Sequence, residues 1–312
     1  MQKQATREAY GTALERLGHT RSDVVVLDAD LSGSTKTAVF AKSFPDRFLN
    51  MGVAEANMIG HAAGLALCGK TVFASSFAMF AAGKAWEQIR QSVCVPRLDV
   101  KIVASHAGVT VGEDGASHQA LEDLACMRVL PNMTVVVPAD GPQTEAAVAA
   151  IAAYDGPCYL RVSRASTRIL EGGPPFELGK ARELRHGEDL ALIACGVEVA
   201  ECLDAAEALA GEGIRCTVLD VHTLKPLDEA AVVAVARRCG SVMTVEEHQV
   251  IGGLGEAVAA AVARAGGGVP MRLHGMQGTF GQTGPAEVLL AHYRLDAPGI
   301  AAEAREFLEG LA

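Results

Sequence analysis

Aromatic side chains are scarce in this sequence. Phe, Trp and Tyr make up 4% of 312 residues, and there is a single tryptophan. Ala, Val, Leu and Gly dominate instead, and small residues in that excess favour helices packed tightly on a sheet. Positive charge is also short, with 27 Lys and Arg against 37 Asp and Glu, for a net charge of −10. That balance excludes a broad nucleic-acid surface, which needs clustered basic residues. It leaves room for one local anion site. The eight cysteines form no CxxC pair and sit mostly in apolar runs. They are expected as buried, reduced thiols of a cytoplasmic protein, neither disulfides nor zinc ligands. The opening MQKQATREAY lacks an apolar core, so no signal peptide is expected. The most apolar stretch, Met58 to Gly83, is split by Lys70 and diluted by Gly, Ser and His61. It reads as helix, strand, helix and not as a membrane span.

What is present is a globular composition, 50% apolar and 21% charged, long enough for about two domains at roughly 150 residues each. Short β-branched runs (24–27, 71–75, 100–104, 134–137, 158–162) alternate with amphipathic segments (5–17, 55–67, 79–93, 141–152). Runs that are apolar on both faces fit a buried parallel sheet built from βαβ units. The turn-rich Glu171-Gly-Gly-Pro-Pro-Phe-Glu-Leu-Gly179 interrupts this pattern and reads as a linker. A second series follows, with strands at 190–195, 215–220, 241–245 and 271–274 and helices at 198–210, 229–238 and 255–264. The expected architecture is two three-layer α/β domains: 1–168 with a parallel sheet, a linker at 169–187, and a smaller mixed-sheet domain at 188–312.

The segment Ser105-His-Ala-Gly-Val-Thr-Val-Gly-Glu-Asp-Gly-Ala-Ser-His-Gln119 follows a strand, where ligand sites of open α/β sheets lie. Gly108, Gly112 and Gly115 let the backbone bend close to a ligand. Histidine as a residue type can donate or accept a proton, so His106 and His118 suit hydroxyl and carbonyl chemistry. Asp114 could hold a hydroxyl or fix a tautomer, although a solvated polar loop would show the same residue types. Glu55, at a helix start, is explained equally well by the helix dipole or by a carboxylate poised to share a proton. Phe77 and Phe80, three apart on one helical face, suit a core as well as a cofactor platform. His61 reads as a core histidine.

The order of GVAEANM, SSFAMF, SHAGVTVGEDGASHQALED, PNMTVVVPAD and LRVSR resembles the pyrimidine-binding domain of transketolase. VLDVHTLKPLD, VEEHQVIGGLG and GTFGQTG continue the match through the second half. The resemblance implies the last two of the family's three domains. The missing one carries the diphosphate and Mg²⁺ through a Gly-Asp-Gly…Asn motif, as in split transketolases. It implies thiamine diphosphate, shared with an N-terminal partner subunit that also holds Mg or another divalent metal, and no metal site on this chain. By resemblance Glu55 hydrogen-bonds N1′ of the aminopyrimidine, Phe77 and Phe80 flank that ring, and Asp30 lies near the cofactor. A third family aromatic is replaced by Gly83. His118 contacts the donor's oxygens, Asp114 reads a hydroxyl, and Arg7, Ser34, His106 and Arg164 clamp a sugar phosphate. Glu113 is left open between pairing across a dimer interface and a direct role, and His248 orders a second-domain loop without a catalytic part. The implied activity is transfer of a two-carbon ketol unit from a ketose phosphate to an aldose phosphate, in a heterotetramer, with no nucleic-acid or membrane partner. Alternatives are a 2-oxo-acid dehydrogenase E1 β subunit, a deoxyxylulose-phosphate synthase fragment, or a non-catalytic regulatory subunit. A sulfonated or branched ketose is an alternative substrate.

Overall fold

The computed structural model describes residues 2–311. A seven-stranded sheet forms the first half, in the order Thr223–Lys225, Thr134–Val136, Cys158–Val162, Val100–Ser105, Thr71–Phe77, Val24–Asp28, Phe48–Asn50. Six of these strands are parallel, and Thr223–Lys225, which comes from the second half, pairs antiparallel at one edge. Alternate residues serve opposite faces. Val25 and Leu27 pack with Met58, Ile59 and Ala62 of the helix Glu55–Leu67. Val24 and Val26 pack with Tyr10, Leu14, Val148 and Ile151, from the helices Thr6–Thr20 and Gly141–Ala153. Both faces are covered, which is why these strands are continuous apolar runs in the sequence.

The second half holds a five-stranded mixed sheet in the order Met271–Met276, Val242–Gln249, Leu190–Ala194, Cys216–Asp220, Arg182–Arg185. The last strand is antiparallel and lies within the segment 169–187. The helix Glu198–Ala210 and the terminal helix Ala297–Glu309 cover one face through Val199, Cys202, Ile300 and Ala304. The other face shares one continuous apolar cluster with the first sheet. The architecture is therefore the expected pair of α/β domains.

Three expectations are corrected in detail. Residues 79–93 do not form a regular α-helix. Met79–Lys84 and Ile89–Cys94 are π-helical, joined through Trp86–Gln88. Phe77 ends a strand while Phe80 lies in the helical segment that Met79 begins, so the two do not share a helical face. His61 is exposed, its Nδ1 3.0 Å from Asn57 O, because it lies on the outer side of its helix. All eight cysteines are free, six of them buried. No helix among the described residues is long and apolar enough to cross a membrane.

Candidate active site

The candidate residues gather at the carboxyl ends of the first sheet's strands. Glu55 opens its helix and is only 2% exposed. Its Oε2 lies 2.7 Å from Lys84 Nζ but has no partner in hydrogen-bonding geometry. The close approach is an ion pair without alignment, and its ammonium end is mostly in solvent. Lys84 Nζ also lies 5.6 Å from the centroid of the Phe80 ring. Phe80 and Phe77 are near-parallel, 6.0 Å apart, and His118 stands edge-on to both at 5.4 and 6.1 Å. His106 stacks on Phe77 at 3.9 Å. A single patch thus runs from Glu55 through the two phenylalanines to both histidines.

The anion end follows. Arg7 Nη1 donates to Ser34 O (3.1 Å) and to His106 Nε2 (3.3 Å). With Nε2 accepting, the His106 proton belongs on Nδ1, 2.8 Å from Ser105 Oγ. Burial, reinforced by Arg7, Arg164 and His118, pushes the His106 pKa down to about 3, so the ring is neutral. The Arg7 pKa is lowered by burial and by the like charge of Arg164, and its Nε is buried without a partner. Two facing guanidiniums are relieved by an anion between them. Ser34 contributes its carbonyl oxygen here rather than its hydroxyl.

Arg164 is already engaged. Its Nη1 donates to Val111 O (2.7 Å) and lies 3.5 Å from both Glu113 and Asp114 carboxylates. Glu113 is thus paired within its own chain. The glycines of this loop do have positive φ, +78° at Gly108, +81° at Gly112 and +70° at Gly115, a region open mainly to glycine. Asp30 is exposed, with φ of +66°, and accepts from Asn50 Nδ2 (2.9 Å) at the neighbouring strand end. No contact joins it to Glu55 or to the phenylalanines among the described residues. His248 is buried, its Nε2 accepting from Ala125 N (3.4 Å), and it joins the two domains.

Lys84 was not marked by the sequence, although it is the one charge in the Ala- and Gly-rich stretch after Phe80. Glu247 carries no local sequence signal either. Its Oε2 accepts from Thr110 N (3.0 Å) and Oγ1 (2.7 Å) at the start of the loop.

An aminopyrimidine fits this arrangement. A buried carboxylate oxygen without a hydrogen-bond partner is linked through Lys84 to the Phe80 ring, which suits a flat ring with one polar edge. Among the described residues no group of three His, Cys, Asp or Glu converges to hold a metal ion.

Residues 2–169 match the pyrimidine binding domain of transketolase, and residues 179–300 match the transketolase C-terminal domain. The chain is 52% identical to a Methanocaldococcus jannaschii protein described as a transketolase C-terminal section, over 95% of this chain and 93% of that one. It is 42% identical to the 6-deoxy-6-sulfo-D-fructose transketolase subunit SqwH of Clostridium sp. (strain MSTE9), over 97% and 94%. Among solved structures, a split gene transketolase in the form of an inactive β4 tetramer superposes with a TM-score of 0.90 at 50% identity. That match covers 98% of each chain.

Proposed function

This chain belongs to the transketolase family, and we propose that it is the C-terminal subunit of a split transketolase. With an N-terminal partner it would move a two-carbon ketol unit from a ketose phosphate to an aldose phosphate. Its pyrimidine-binding unit would be 1–168 and its C-terminal unit 188–312, joined by 169–187, in a cytoplasmic heterotetramer. The observation that carries this proposal is the buried Glu55 Oε2, without a hydrogen-bond partner, at one end of a patch whose other end is cationic.

Thiamine diphosphate, when bound, supplies a nucleophilic ring carbon for carbon–carbon cleavage; its diphosphate and divalent ion are assigned to the partner. Glu55 would hold the proton at N1′, where burial strengthens that bond. Phe77 and Phe80 would exclude water from the ring face. Asp30, the remaining cofactor-side candidate, would act from the strand end near Asn50. His118 and Asp114 would orient the donor's hydroxyl and carbonyl oxygens. Arg7, Ser34, His106 and Arg164 would hold the phosphate.

A sulfonated ketose is the second donor to consider, favoured by the 42% identical subunit named for 6-deoxy-6-sulfo-D-fructose. Guanidinium groups bind either tetrahedral oxyanion. The test is reconstitution with the partner, thiamine diphosphate and Mg²⁺ on a panel of ketose phosphates and sulfonates. Turnover is expected only in the complex, and Glu55→Ala should reduce it by about 10²-fold or more. Full activity of the isolated chain would refute the split-enzyme proposal. Unchanged turnover in Glu55→Ala would favour a non-catalytic subunit.

A further inference from the structure

The loop that carries Asp114 and His118 has few bonds of its own. Gly115 N donates to Gly112 O (3.1 Å), and His118 N and Gln119 N both donate to Gly115 O (3.0 and 3.1 Å). Within the first domain, Arg164 holds Val111 O and approaches Asp114, and Ser117 Oγ lies 2.9 Å from His118 Nδ1; further contacts come from the second domain. At the start, Glu247 accepts twice from Thr110, and a Cβ on Gly108 would fall 2.1 Å from Glu247 Oε2. In the middle, a Cβ on Gly115 would fall 2.3 Å from Thr283 Oγ1. At the end, Gln119 Nε2 donates to Gln282 O (2.9 Å), and a Cβ on Gly281 would fall 2.0 Å from Gln119 Oε1.

The register of these contacts is what matters. Gly115 directly follows Asp114, and Gln119 directly follows His118. Each residue assigned to the donor sugar is one peptide bond from a point pinned by residues 281–284. We infer that this turn of the second domain sets the separation and aim of Asp114 and His118. Gln119, Gly281 and Thr283 are then positioning residues for donor recognition, a role that rests on the ketol-transfer reaction proposed above. The Gln119 amide is buried and donates to two carbonyls, Gln282 O and Val109 O (3.3 Å), so the site requires a donor there. Gly281 has no left-handed φ. An alanine there suits its own backbone and acts only by displacing Gln119.

Gln119→Met and Gly281→Ala, each in the reconstituted complex, test this. Either variant should raise the donor KM about tenfold, the worth of a hydrogen bond or a small displacement. Affinity for thiamine diphosphate, followed by fluorescence of the single tryptophan Trp86, should stay within about twofold. A role in folding alone would lower the thermal midpoint and the active fraction while leaving KM unchanged. Gly281→Ala added to Gln119→Ala should cost nothing further, because the colliding side chain is gone. An active wild-type complex whose two single variants keep their donor KM, or losses that simply add in the double variant, would overturn the inference. A wild-type complex with no ketol transfer would instead remove the reaction on which it rests.

Discussion

Glu55 and Lys84 make the sharpest case at the scale of single residues. The ammonium approaches the same carboxylate oxygen that an aminopyrimidine would need, 2.7 Å away, with a side chain 54% exposed. Glu55 is buried, but its partner ammonium is half in solvent, which screens the pair well below a fully buried one, so a ring can displace it. Lys84→Met should tighten thiamine diphosphate binding by up to about fivefold, read by Trp86 fluorescence. Weaker binding would mean that the ammonium helps to hold the ring. His106 gives a pH prediction. Its folded pKa, about 3, lies below the ordinary histidine value. Between those values the unfolded chain binds the extra proton, so stability from His106 is full above about pH 6.5 and is lost as the pH falls toward 3. Wild type and His106→Asn, compared by urea denaturation, should differ less at each step down that range. A pH-independent difference would contradict a neutral, buried ring.

Among the elements, the helix Gly141–Ala153 shows how a cap can do two jobs. Asp140 Oδ1 accepts from Gln143 N (2.8 Å), and Oδ2 accepts from Leu170 N (2.8 Å) at the start of the connecting segment. Asp140→Ala should cost about 1–2 kcal/mol, measured by urea denaturation, and Asp140→Asn should recover part of it. The strands legible in the sequence, such as Leu190–Ala194, were those buried on both faces, where apolar residues run without a break. Lys3–Ala5, Phe48–Asn50 and Thr223–Lys225 have three residues each, too few to show a period. In the candidate site, His106, Asp114 and His118 stood out because glycine must accompany a tightly bent loop. Lys84 did not, since its contact with Glu55 depends on a π-helix that brings residues 29 apart together. Glu247, Gln282 and Thr283 act on that loop from the other domain, beyond the reach of any local pattern.

The molecule as a whole is tied together by a buried charge cluster. Arg161 Nε lies 3.1 Å from Asp123 Oδ2, and Nη1 lies 3.8 Å from Glu247 Oε1 of the second domain. Nη2 donates to Ala120 O (3.3 Å) and Glu247 O (3.2 Å), and Tyr159 Oη donates to Asp123 Oδ2 (2.7 Å). Arg161→Met would strand two buried carboxylates, at a cost of about 3–5 kcal/mol. Chemical denaturation should show that loss, together with weaker protection of amides in the 108–119 loop. A change below about 1 kcal/mol would mean that the carboxylates find other partners or take up protons. The strand Thr223–Lys225 adds a consequence in time. It closes the edge beside Thr134–Val136, yet it is made about 60 residues after Val162, where the last parallel strand ends. At roughly 5–20 residues per second on the ribosome, the nascent first sheet waits about 3–12 s with that edge open. During that interval the half-made subunit is most exposed to strand pairing with a neighbouring chain.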